Sequence, residues 1–134
     1  MAVLSKLVGA VDNLGRPVVR VAIVGRDDEI LGTIDTGFNG EVMLAAGDAG
    51  ALGVFVSEDA EDVEPGHGEM VDVRVGRLRL KWLDVERDVV VLVSDRETLT
   101  REGNPILLIG TRLLKPHLLL IDFAQGTVEI ETQE

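Results

Sequence analysis

Apolar and polar residues alternate with a period of two along much of the chain. Val71, Val73 and Val75 alternate with Asp72 and Arg74, Leu78, Leu80 and Trp82 with Arg79 and Lys81, and Val128 and Ile130 with Thr127, Glu129 and Glu131. Successive side chains of a strand point to opposite faces, so each segment predicts a half-buried strand. Residues 18–24, 30–35, 85–93, 106–109 and 118–123 are β-branched or leucine-rich runs bounded by turn residues, and they predict further strands. Turn chemistry at residues 12–15, 25–29 and 124–126 separates neighbouring runs, and Gly76-Arg77, between two alternating segments, predicts a tight hairpin. Helical signal is confined to residues 45–52, weakened by Gly47 and Gly50, and to a short stretch after Gly110 that stops before Pro116. Many short strands joined by hairpins predict an all-β barrel or sandwich. Residues 57–69 and 94–105 break the alternation and predict surface loops. The first of these holds Glu58, Asp59, Glu61, Asp62, Glu64 and Glu69 with no basic residue.

Composition narrows the function. A length of 134 residues predicts one domain spanning 1–134, and an apolar content of 46% is enough for one core. Thirteen Lys and Arg against twenty-four Asp and Glu leave a net charge of −11. That balance argues against non-specific nucleic-acid binding and against docking on an anionic membrane. The absence of cysteine excludes disulfides, thiolate metal sites and cysteine nucleophiles. The two histidines, His67 and His117, cannot make a three-histidine metal site within one chain. Apolar runs such as residues 89–93 fall far short of the roughly 18 needed to span a bilayer, and no signal peptide is evident. The expectation is a soluble, cytoplasmic domain without metal or cofactor. Asp27-Asp28-Glu29 reads as a solvated hairpin tip, His117 as a residue packed near the end of the second helix, and Trp82 as a core or interface residue, since Leu78 and Leu80 share its face.

The chemistry concentrates in two segments. In Ile34-Asp35-Thr36-Gly37-Phe38-Asn39-Gly40 a hydrophobic strand runs into an aspartate, a hydroxyl residue and a glycine. Alone, this is also how a strand ends in an Asp-capped turn. The second segment, residues 106–114, is an apolar strand, then Gly110, then a short helix-like stretch. Together they resemble the retropepsin-like aspartic proteases, and within them a prokaryotic branch of small proteins. The resemblance covers residues 9–130. It rests on Gly15-Arg16-Pro17, the Asp-Thr-Gly-Phe-x-Gly motif of residues 35–40, Trp82, the Ile-Gly-x-x-Leu-Leu motif of residues 109–114, and a final hairpin through Leu120-Ile121-Asp122-Phe123 and Gly126-Thr127-Val128.

The resemblance implies a closed acid-protease barrel with a short helix after Gly110. It makes Asp35 the catalytic carboxylate. Thr36 would hydrogen-bond across a dimer, Gly37 would let the loop turn against the carboxylate, and Ile109 and Gly110 would pack beneath that loop. Gly66-His67-Gly68 falls where the family has the flap that closes over substrate. The viral relatives often pair an Arg after the glycine with an acidic residue two after Asp-Thr-Gly; here the positions hold Thr111 and Asn39. Either a neutral contact replaces that ion pair or Arg112 finds another acidic partner.

Hydrolysis of a peptide by such a site needs two carboxylates, one to activate water and one to protonate the scissile carbonyl's side of the reaction. The chain has a single Asp-Thr-Gly. A homodimer acting on a peptide or protein substrate would supply the second Asp35. The alternative is a non-catalytic dimer of the same fold that binds a peptide or protein without cutting it.

Overall fold

The computed structural model describes residues 5–63, 71–94 and 106–132, with the backbone alone described for 55–63 and 71–73. Ten strands and two short helices follow in the order β1 (Lys6–Val11), β2 (Pro17–Ile23), β3 (Glu29–Ile34), β4 (Val42–Ala45), α1 (Ala46–Ala51), β5 (Phe55–Val63), β6 (Val71–Trp82), β7 (Val85–Ser94), β8 (Ile106–Ile109), α2 (Thr111–Leu114), β9 (His117–Asp122) and β10 (Thr127–Thr132). All ten strands join in one sheet, ordered β5-β6-β7-β4-β8-β3-β2-β1-β10-β9. A further pairing of β6 with β2, Ala22 against Lys81 and Ile23 against Leu80, closes β2, β3, β8, β4, β7 and β6 into a barrel. The chain is therefore all-β with a closed six-strand barrel.

Side-chain alternation fills the barrel. Val19, Val21 and Ile23 of β2, Ile30 and Ile34 of β3, Leu78, Leu80 and Trp82 of β6, and Val89, Val91 and Val93 of β7 form one buried cluster with Leu107, Ile109, Val128 and Ile130. A second, smaller cluster of Phe38, Met43 and Leu92, flanked by Val75, Val90 and Leu108, lies on the other face of the same strands.

Two expectations are corrected. Gly76-Arg77 is not a hairpin: β6 runs unbroken through it, with Gly76 opposite Val91 and Arg77 opposite Val90. The switch of phase between Val75 and Leu78 arises because Val75 faces the outer cluster while Leu78 and Leu80 face the barrel core. The turn comes seven residues later, at Leu83-Asp84, where both residues have positive φ (49° and 65°) between the paired Trp82 and Val85. Such a two-residue turn matches the twist of its strands. Residues 57–63, expected in a loop, are instead strand, part of β5 on β6, with a register shift between Val56 and Ala60. β6 is twelve residues long. β2 covers only its far end, and the rest of that edge offers backbone groups that β5 satisfies. Residues 64–69 of the expected acidic loop and residues 95–105 lie outside the described residues. The expected helices are α1 and α2. The 12–15, 25–29 and 124–126 turns fall between strands as expected, and Arg26 donates two 3.2 Å bonds to the Asp28 carboxylate at the second of them.

Candidate active site

Asp35 sits one residue past β3, where β3 pairs with β8. β8 lies between β3, to which it is parallel (Ile34 beside Ile109), and β4, to which it is antiparallel (Val42 beside Ile109). The Asp35 N–H donates to the Ile109 carbonyl at 2.9 Å, carrying this ladder one residue further and fixing where the aspartate leaves the sheet. Its Oδ1 accepts from the Gly37 N–H at 3.0 Å. A carboxylate held by a backbone donor is oriented without any other side chain. Asp35 is half-buried, and Thr36 and Gly37 beside it are exposed. An added Cβ on Gly37 would lie 3.3 Å from Oδ1, tight enough to press on the carboxylate.

The loop then folds under itself. Phe38 N–H donates to the Asp35 carbonyl at 3.1 Å, and the Phe38 side chain is 1% exposed in the outer cluster. Its ring fits only because two glycines make room. A Cβ on Gly40 would come within 2.6 Å of the ring, and one on Gly110 also within 2.6 Å of it while meeting the Gly40 carbonyl. Gly110 N–H donates to the Glu41 carbonyl (2.9 Å), Thr111 N–H to the Phe38 carbonyl (2.8 Å) and Arg112 N–H to the Gly40 carbonyl (3.1 Å). The Thr111 hydroxyl also donates to the Phe38 carbonyl at 3.3 Å. The structure therefore brings Asp35, Thr36, Gly37, Ile109 and Gly110 together. At the positions of the missing ion pair, Thr111 bonds the loop backbone at Phe38, and Arg112 has no ion pair among the described residues. Gly66, His67 and Gly68 lie outside the described residues.

The sequence marked no role for Glu41, and it placed His117 near the end of the second helix without naming a partner. Glu41 accepts from the Val90 N–H at 3.2 Å and lies 3.9 Å from the Arg87 guanidinium, tying the end of the loop to β7. His117 accepts a 3.0 Å bond from the indole N–H of Trp82, which is 1% exposed. Burial, and secondarily the Arg87 charge, lowers the His117 pKa below its ordinary 6.5. The indole donates to Nε2, so the proton of the neutral ring sits on Nδ1, which is buried and has no partner among the described residues. A signal for the Trp82 side existed in the shared face of Leu78, Leu80 and Trp82; nothing local announces the histidine opposite it. Among the described residues no three His, Asp or Glu side chains group as metal ligands, and no helix is long and apolar enough to cross a membrane.

The fold is that of the retropepsin-like aspartic proteases. A retropepsin-like aspartic protease from Rickettsia conorii superposes with a TM-score of 0.65 over 97% of this chain and 92% of that one, at 16% identity. EIAV protease complexed with the inhibitor HBY-793 superposes with a TM-score of 0.52 over 78% of this chain and 90% of that one, at 20% identity. No protein-family model matches the sequence, and no curated protein matches it.

Proposed function

We propose that this chain is an aspartic endopeptidase that works as a homodimer, with one Asp35 from each copy activating a water between them. The observation that carries the reading is the presentation of Asp35. A retropepsin-like barrel holds one half-buried carboxylate at the mouth of a loop, oriented by Gly37, with the Thr36 hydroxyl exposed next to it. One carboxylate cannot act as both base and acid, so the site is complete only when a second loop meets the first. Across the two-fold axis Thr36 bonds the opposite loop and holds the pair in register. Two carboxylates at contact distance share one proton. The unprotonated one takes a proton from water as it attacks the scissile carbonyl, and the protonated one hydrogen-bonds to the carbonyl oxygen and passes its proton on. Loss of the shared proton, or gain of a second, ends activity, and both limits belong to the pair.

β9 is the strand through which a second copy would join. It ends the sheet, and Leu118 (40% exposed) and Leu120 (48%) stand on its open face with Phe123 (64%) just beyond. An apolar sheet edge of this kind invites another strand. The remaining residues make one domain around the site, and Gly66-His67-Gly68 would close over bound peptide.

Incubation with a peptide library, with and without pepstatin, tests the reading. Asp35→Asn is expected to lower cleavage by at least about 100-fold, the usual cost of removing an essential acid–base group, while leaving circular dichroism unchanged. Binding of peptides without cleavage by the unaltered chain would replace the protease with a peptide-binding dimer.

A further inference from the structure

Beside the Asp35 loop lies an open pocket of about 360 Å³ lined by Asn39, Thr111, Arg112 and Lys115. It is out of keeping with the rest of the chain. The molecule carries a net charge of −11, yet among the described residues this lining has two cations and no carboxylate. Arg112 and Lys115 are three residues apart on one turn, a spacing that puts both on the same side. Both are exposed, and neither is in an ion pair among the described residues, as is also true of Arg20, Arg74, Arg77 and Lys81; what sets the pair apart is that they line one pocket together. The Asn39 side chain is exposed too, and its amide adds a donor that has no partner among the described residues. Two like charges held together in a cleft repel each other, and a bound anion relieves that repulsion.

The pocket is also fixed relative to the candidate catalytic carboxylate. Thr111 N–H bonds the Phe38 carbonyl, Arg112 N–H bonds the Gly40 carbonyl, and Phe38 N–H bonds Asp35 itself. Asn39 follows Asp35 by four residues and so lies within about 14 Å of it, a span that about four residues of extended peptide also cover.

We propose that Asn39, Arg112 and Lys115 form a carboxylate subsite that selects peptides carrying Glu or Asp within about four residues of the bond to be cut. This rests on the endopeptidase reading and names a substrate feature for it. The guanidinium and the ammonium each donate charged hydrogen bonds to a carboxylate, and the Asn39 amide donates a neutral one. The field of the whole molecule repels acidic peptides at long range, so the preference is local and is strongest against a matched neutral peptide.

Capped octapeptides of Leu, Val and Ala, each with Glu or Gln placed at one position and moved through the sequence, provide the probe. Their affinities are measured on the full chain carrying Asp35→Asn, which prevents turnover, and again after adding Arg112→Gln and Lys115→Gln. The Glu peptide is expected to bind about tenfold more tightly than the Gln peptide at one or two adjacent positions. That ratio should shrink as salt is raised and fall to about one in the charge-removed variant. Equal affinity at every position, a ratio that survives removal of both charges, or no binding by either peptide overturns the subsite. So does a loss of dimer with an unchanged ratio, which would assign the pocket to a carboxylate of the second copy. Cleavage of the Gln peptides by the unaltered chain is scored separately. Cleavage with equal affinities sinks the subsite alone, and a Glu preference without any cleavage sinks the endopeptidase alone.

Discussion

Gly110 shows how much a single residue type decides. A methyl group there would press into the Gly40 carbonyl, lie 2.7 Å from the Phe38 carbonyl oxygen and 2.6 Å from its ring. Backbone on two sides cannot yield, so Gly110→Ala is expected to destabilise by about 1–3 kcal/mol or more in urea unfolding. Gly50, in the last turn of α1, has open space around its added Cβ, and Gly50→Ala is expected to stabilise by up to about 0.5–1 kcal/mol through helix propensity alone. Opposite signs at two glycines separate close packing from conformational freedom; equal signs would contradict the geometry. The Asp-Thr-Gly and Ile-Gly motifs were legible because each is local and chemically unusual. The ring of Phe38 seated on Gly40 and Gly110 was not, since it joins residues seventy positions apart through a contact that no periodicity reports.

At the scale of elements, the apolar pattern located most strands but not β4 or β5, and it broke β6 in two at Gly76-Arg77. An apolar phase change looks the same in sequence whether the chain turns or its buried face changes, and only the second cluster around Phe38 distinguishes them. β5 was hidden for the converse reason: its run of carboxylates suggests solvent, while its place is set by the unfilled backbone edge of β6. β9 meets the barrel through His117 and Trp82, and this contact sets a pH dependence. The folded-state pKa of His117 is depressed, so between 6.5 and that lower value the unfolded chain binds a proton that the folded chain does not. The stability it contributes is present above 6.5 and is lost as pH falls through the folded value. Imidazolium has no lone pair for the Trp82 indole, whose N–H would then be buried without a partner. The Tm of the unaltered chain is expected to fall over this range, on top of the general acid loss from its carboxylates. His117→Gln keeps an acceptor without titrating and should show a shallower fall. Parallel Tm curves for the two proteins would remove His117 as a cause.

For the whole molecule, the all-β class was legible in the alternating pattern, and the closed barrel in the resemblance that the Asp-Thr-Gly and Ile-Gly motifs carry. The surface of the proposed dimer was not legible there, because it depends on which strand the topology leaves at the sheet's edge. With β9 in that place, Leu120→Lys is expected to shift the dimer to monomer in sedimentation while leaving the core-packed barrel folded, because Leu120 is about half exposed in one copy. An unaltered dimer would move the interface away from β9. The most direct test of the central claim, a site built from two Asp35 side chains, is subunit mixing. Unaltered chain is equilibrated with increasing amounts of Asp35→Asn chain, and cleavage per unaltered chain is measured. If each site draws one Asp35 from each copy, that specific activity falls in proportion to the fraction of unaltered chain. A specific activity that stays constant at every ratio, with the two proteins shown to exchange subunits, would contradict the shared site.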